Sequence, residues 1–232
     1  FGDADKFKEL YETYERKTSI KKKKIDAMEL FSALIKERAE TGRIYIMNVD
    51  HANTHSSFKD TVFMSNLCQE ITLPTKPLQH IDDPEGEIAL CILSAINVGM
   101  IKQLDDLEEL CDLAVRALEE IIDYQRYPIK AAEISTKARR SLGVGYIGLA
   151  HYLAKQHAKY EDKKSWQLVH NLTEAFQYYL LKASNNLAKE RGACEYFDRT
   201  KYSDGILPID TYKKDVDTIV PHKLNYDWDS LR

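Results

Sequence analysis

The chain has 232 residues, 44% hydrophobic and 30% charged, which gives enough apolar side chain for one large or two small packed domains and excludes a disordered chain. Its 33 Lys and Arg against 37 Asp and Glu leave a formal charge of -4, so composition makes no case for nucleic acid, and Lys21 to Lys24 is a local run at the solvated start of a helix. No apolar run reaches the ~18–20 residues needed to cross a bilayer, and Phe1-Gly2-Asp3-Ala4-Asp5 lacks the basic and apolar parts of a signal peptide, so the expected compartment is the cytoplasm, with no membrane partner. Cys68, Cys91, Cys111 and Cys194 are spaced too widely for a C-x-x-C metal or redox motif, and a reducing compartment keeps them as thiols.

In chain order, residues 5 to 39 read as helix in two pieces broken near Thr18-Ser19, with Ile20, Ala27, Leu30, Phe31, Leu34 and Ile35 near a 3.6-residue period. Thr41-Gly42-Arg43 ends the helix, and Ile44 to Val49 alternates like a strand. Asp50 to Ser57 then reads as a loop. His51 and His55 are four apart, which on a helix would put two imidazoles on one side for a metal, but the Asn, Thr and Ser around them are loop formers that brace backbone groups.

Met64-Ser65-Asn66-Leu67-Cys68-Gln69-Glu70-Ile71 holds an amide, a thiol and a carboxyl at alternating positions. If the stretch is extended, as Ile71-Thr72-Leu73 suggests, Asn66, Cys68 and Glu70 share one face and Leu67 and Ile71 the other. A thiol between a hydrogen-bonding amide and a potential base suits nucleophilic or radical chemistry on a bound hydroxylated substrate; the alternative is a strand whose polar face meets water. Ile88 to Val98 is nearly unbroken apolar and reads as a strand buried on both faces, with Cys91 inside it either an inert core thiol or a redox partner.

Leu104 to Tyr124 is an amphipathic helix that Asp105 caps, with Leu104, Leu107, Cys111, Ala114, Leu118 and Ile121 on its stripe. Gly143-Val144-Gly145-Tyr146-Ile147-Gly148 is formally G-x-G-x-x-G. It follows a polar, helix-prone stretch where a dinucleotide fingerprint needs an apolar strand, so its glycines are read as letting a helix pack closely, with Ile147, Ala150, His151 and Ala154 inward. Ser165 caps a long helix that ends at Gly192, and residues 198 to 232 are short turns with one apolar patch, Ile206 to Ile209. No linker divides the chain, which is taken as one domain over 1–232: a helical lead-in to 40, active-site strands and loop at 41–100, and a mainly helical remainder.

Ser65-Asn66-Leu67-Cys68-Gln69-Glu70-Ile71, followed by Glu87 to Gly99, resembles the active-site core of the large, catalytic subunit of class Ia ribonucleotide reductases of bacterial and phage type. The resemblance runs through Thr41 to Ile46, Asn48 to His51, Arg139 to Gly143, Gly192-Ala193-Cys194 and Gly205 to Tyr212. It implies an α/β fold, part of a ten-stranded α/β barrel with long packing helices, and an enzyme that reduces ribonucleoside diphosphates to 2′-deoxyribonucleoside diphosphates for DNA precursor synthesis. On this resemblance Cys68 would be the transient thiyl radical that takes the ribose 3′ hydrogen, and Glu70 the carboxylate that takes the 3′-OH proton. Asn66 would hydrogen-bond the substrate, and Cys91 would be one of two reducing thiols. The family carries the Cys68 position on a loop tip rather than inside a regular strand.

The resemblance also implies partners. The chain itself would bind no metal or cofactor, while the complete enzyme would need a small subunit with a diiron centre and tyrosyl radical, thioredoxin or glutaredoxin as reductant, and ATP or dNTP effectors. The second redox cysteine, the radical-relaying tandem tyrosines, the substrate-diphosphate loop, the C-terminal cysteine pair and the effector-binding part have no counterpart within these residues. The chain is therefore expected to be inactive alone, working with the remaining segments of the large subunit; the alternative is an incompetent fragment that serves only in folding or subunit interaction.

Overall fold

A computed structural model describes residues 3–219 and 223–232. The chain forms two compact units, Phe1–Thr75 and Lys76–Arg232.

In the first unit, α1 spans Ala4–Arg16, α2 Ala27–Thr41 and α3 Val49–His55. Asp3 opens α1 by accepting from the Lys6 N–H at 2.8 Å, and Asp26 opens α2 by accepting from Met28 and Glu29 N–H groups at 2.8 and 3.0 Å. Gly42, at φ +65°, closes α2 in the left-handed conformation that glycine adopts without strain. The expected two-piece helix is present, but no residue of α2 is buried, and Met28, Leu30 and Phe31 are 72%, 56% and 61% exposed.

Two readings of this unit are corrected. Residues 44–48 are not a strand: no neighbouring strand pairs with them among the described residues, and β propensity without a ladder partner makes no sheet. The segment expected to be a loop from residue 50 is instead α3, whose short side-chain-capping residues are outvoted by its helical hydrogen bonds. The bracing role anticipated for these polar residues does hold at Asn53. Its amide donates to the Val49 and Val62 carbonyls, both at 2.9 Å, and accepts from the Val62 N–H at 2.8 Å. Val62 is thereby fixed and fully buried.

The second unit is built on a parallel pair, β1 (Ile92–Asn97) and β2 (Leu142–Ile147), in register from Ile92 opposite Leu142 to Asn97 opposite Ile147. The crossover between them holds α4 (Asp106–Tyr124) and α5 (Lys130–Arg139); α6 (Leu149–Lys155), α7 (Lys163–Arg191) and a short α8 (Pro208–Thr211) follow, joined by 3-10 turns. Leu107, Cys111, Val115, Leu118 and Ile122 form the buried stripe of α4, which packs along α7 and onto both strands; Ala114 and Ile121, read as members of it, are displaced by their neighbours Val115 and Ile122, and Ile121 is 42% exposed. The main core joins Ile96, Val98, Leu107, Cys111, Leu153, Leu172, Phe176, Leu207 and Trp228. Glu174, buried in α7, accepts from Asn225 N–H and Nδ2 at 2.7 and 2.8 Å and from Trp228 Nε1 at 3.2 Å, which pins the C-terminal segment to the helix.

The differences from expectation here are local. The strand is shorter than Ile88 to Val98, and among the described residues only one face is covered: Ile96 is buried whereas Leu93 is 60% exposed, because α4 packs on one side of the strand pair. The G-x-G-x-x-G stretch is β2 itself rather than the start of a helix, since pairing with β1 satisfies its backbone groups. α6 starts only after Gly148, at φ +79°, and turns Tyr152 and Leu153 inward while Ile147, Ala150, His151 and Ala154 are exposed. Asp105 makes no side-chain cap; Asp106 takes the Lys102 and Gln103 N–H groups at 2.8 and 3.2 Å, and these bonds lower its pKa. Asp162, not Ser165, occupies the N-cap position of α7, and Ser165 lies inside the helix with its hydroxyl donated to the Lys159 carbonyl.

Candidate active site

Asn66, Cys68 and Glu70 all lie on a tight turn at the surface of the first unit. The Gln69 N–H donates to the Asn66 carbonyl at 3.2 Å, and Gln69 adopts φ +65°, an unusual conformation for a residue with a Cβ. The Asn66 side chain reaches across the turn, where its Oδ1 accepts from the Ile71 N–H at 2.9 Å. That bond commits the amide oxygen and leaves the NH2 end to donate outward. Strand alternation is thus not what presents these groups: the left-handed residue between Cys68 and Glu70 breaks the two-residue period, and the row sits on a loop tip. All three side chains are exposed, so each can meet a ligand.

Cys91 is in the second unit, one residue before β1, and is half-buried. Burial raises its pKa. The approach to Cys91 is held by a feature that composition and periodicity did not single out. Glu87, 2% exposed, receives Arg139 Nε and Nη2 on one carboxylate oxygen at 2.9 and 2.7 Å, with Arg199 at 3.6 Å from the other. Arg139 and Arg199 also lie over the Tyr196 ring, at 5.1 and 4.2 Å from its centre. The Ile88 N–H donates to the Ala131 carbonyl, and the Lys76 and Glu87 backbones exchange two bonds. The signal was available in an acidic residue directly before an apolar run and in the Arg139-Arg140 pair at a helix end.

The remaining cysteines differ. Cys111 is fully buried in the α4 stripe, as expected of a core thiol, and burial pushes its pKa up to about 12. Cys194 is half-buried and also raised by burial. His51 and His55 do lie on a helix but are exposed, and among the described residues no three His, Cys, Asp or Glu side chains gather as a metal site requires. Among the same residues no helix is long and apolar enough to cross a membrane.

Comparison with known proteins agrees over the full length. Residues 1–232 match the family described as ribonucleotide reductase, barrel domain. The chain is 61% identical over 235 residues to the ribonucleoside-diphosphate reductase subunit alpha of Haemophilus influenzae, covering 100% of this chain and 31% of that protein. It is 57% identical to ribonucleoside-diphosphate reductase 1 subunit alpha of Escherichia coli K12, with the same coverage, and 44% identical over 237 residues to the subunit alpha of Enterobacteria phage T4, again covering 100% and 31%. The chain therefore spans about a third of the length of these relatives. With a parallel strand pair covered by helices on one side and a match along every part of the sequence, the chain belongs to the ribonucleotide reductase barrel-domain family and holds part of an α/β barrel.

Proposed function

We propose that both units belong to one catalytic barrel domain, and that the chain supplies part of the active site of a ribonucleoside-diphosphate reductase, an oxidoreductase of DNA precursor synthesis. The observation that carries this reading is the exposed Asn66-Leu67-Cys68-Gln69-Glu70 turn within a chain that matches the family throughout. Cys68, as a thiyl radical, takes the hydrogen from C3′ of the ribose, becoming a thiol again. Glu70 accepts the 3′-OH proton, and Asn66 donates its NH2 to a substrate hydroxyl. The 2′-hydroxyl leaves as water, taking a proton from a thiol pair of which Cys91 is one member. The other hydrogen of that pair goes to C2′ as the pair becomes a disulfide, Glu70 returns its proton to O3′, and the hydrogen held by Cys68 returns to C3′, which restores the thiyl radical. The net change is ribonucleotide plus dithiol to deoxyribonucleotide, disulfide and water.

Sulfur suits the first step because S–H and an activated C–H bond are similar in strength, so the transfer runs both ways. Placement of three groups on one short turn supplies the proximity the step needs. A small subunit bearing a diiron centre and tyrosyl radical supplies the oxidising equivalent when bound; thioredoxin or glutaredoxin reduces the disulfide; ATP or dNTP effectors act on the remainder of the large subunit. The second thiol of the pair comes from that remainder. The reading places the protein in the cytoplasm.

The test combines the chain with the remaining large-subunit segments, the small subunit, a dithiol and an effector, and measures deoxynucleoside diphosphate. Formation of product that is lost in Cys68→Ser is expected. Product formation that survives Cys68→Ser sinks the radical assignment, and no product in any combination favours a module that serves only folding or subunit interaction. Residues 1–232 alone are expected to give no turnover; product from them overturns that expectation.

A further inference from the structure

We infer that Gly143 is a positioning residue for the Cys91 thiol. This rests on the reading of Cys91 as a reducing thiol only for its consequence in turnover; the contact itself stands on geometry. Gly143 lies in β2 opposite Leu93, and a Cβ built on its α-carbon would come 2.8 Å from Cys91 Sγ and 2.5 Å from Leu93 Cδ2. Real Cβ atoms do not approach so closely, so the sulfur occupies the space that the missing side chain leaves.

The obstruction is confined to side chains. The nearest backbone atom, the Ile92 carbonyl oxygen, is 3.9 Å away, which is ordinary contact. Gly143 is not among the residues of positive φ, so its backbone conformation is open to alanine. Leu93 is 60% exposed and has solvent into which its methyl can turn. Cys91 has only its χ1 rotation, so a methyl at 143 is relieved chiefly by swinging the sulfur off its present position. The same strand carries its own control. Gly145, two residues on, has nothing within 4 Å of its would-be Cβ.

The sulfur is sheltered on the Gly143 side, and its half-buried position raises the pKa of the thiol. Rotation away from that shelter exposes it to solvent and favours the thiolate, the form that reacts. Gly143→Ala thus acts on the reactivity of a cysteine one residue before the neighbouring strand while leaving the β1–β2 ladder intact.

The experiment measures iodoacetamide alkylation of each cysteine by peptide mass spectrometry across pH 7 to 10, in the full-length protein carrying Gly143→Ala or Gly145→Ala. Alkylation of Cys91 about threefold faster in Gly143→Ala, with its pH midpoint moved down, is expected, as a sulfur less shielded from water forms its thiolate more readily. Cys194 serves as the internal reference, and Gly145→Ala should match the parent protein. A Cys91 rate within about twofold of the parent, or slowed, overturns the proposal. If Gly143→Ala lowers the melting temperature, the loss should vanish when Sγ is removed in Cys91→Ala/Gly143→Ala; a loss that persists in the double variant overturns the proposal as well. Turnover of the reconstituted reductase separates the two readings: faster alkylation with unchanged turnover upholds the positioning role and removes Cys91 from the reaction, whereas impaired turnover with unchanged alkylation refutes the positioning role alone.

Discussion

Cys68, Cys91 and Cys111 are one side chain in three environments, and the differences set their chemistry. Cys68 stands exposed on its turn, Cys91 is half-buried against Gly143, and Cys111 is sealed in the α4–α7 core. Alkylation of the native protein at pH 8 should therefore mark Cys68 first and leave Cys111 unmodified until the protein unfolds, which timed peptide mapping checks. Cys111 also imposes a pH dependence on stability. In the unfolded chain a cysteine ionises near ~8.5, whereas in the fold Cys111 holds its proton up to about 12. Unfolding releases that proton in the window between, so stability falls as pH rises above the unfolded value, by about 1.4 kcal/mol per unit from this group. Urea denaturation at pH 8 and 10 should show a shallower decline in Cys111→Ala than in the parent, because the tyrosines are common to both.

At the scale of elements, the buried Glu87–Arg139 pair ties the segment leading into β1 to the end of α5. Removing one partner strands a charge among groups shielded from water. Arg139→Ala is expected to cost about 3–5 kcal/mol, read from urea denaturation, and to raise protease cleavage near residues 87–91. Loss below about 1 kcal/mol would mean that Arg199, 3.6 Å from Glu87, can take over the pairing. Arg140, next in sequence, shows how an unusual backbone is sustained: it ends α5 at φ +48° while its guanidinium grips Glu119 and Asp123, the latter at 2.7 Å. α4 and α7 were legible from their 3.6-residue periods because each buries one continuous stripe. β2 was not, since Gly143 and Gly145 lower strand propensity and only the ladder with β1 offsets that.

For the molecule as a whole, apolar burial is unevenly shared. Val62 and Pro74 are the buried residues among those described in Phe1–Thr75, while the main core lies within Lys76–Arg232. Amides of α1, α2 and α3 should accordingly exchange with solvent far faster than those at the centres of α4 and α7, by about two orders of magnitude or more, as hydrogen–deuterium exchange with mass spectrometry can test. Equal protection across both units would show that the exposed faces of α1 and α2 are covered in solution. The Leu93 side of β1 and the whole of α2 are left exposed, in a chain that spans about a third of its relatives' length.

The sequence by itself determined the helices that bury a stripe, the core fate of Cys111, and, through the run from Ser65 to Ile71 and the segment Glu87 to Gly99, the family. It did so because helix periodicity is local and because the family resemblance is carried by residue identity. The tertiary structure decided the rest. Ile44 to Asn48 has strand-forming residues and no partner strand among the described residues, whereas Leu142 to Ile147 has two glycines and a partner, so pairing rather than propensity made the strand. Residues far apart in sequence supplied the Glu87–Arg139 pair and the contact between Gly143 and Cys91, and neither leaves a local pattern. The turn at Cys68 needed both: its residues were evident at once, but their presentation depends on the left-handed Gln69 and on the Asn66 bond to the Ile71 backbone.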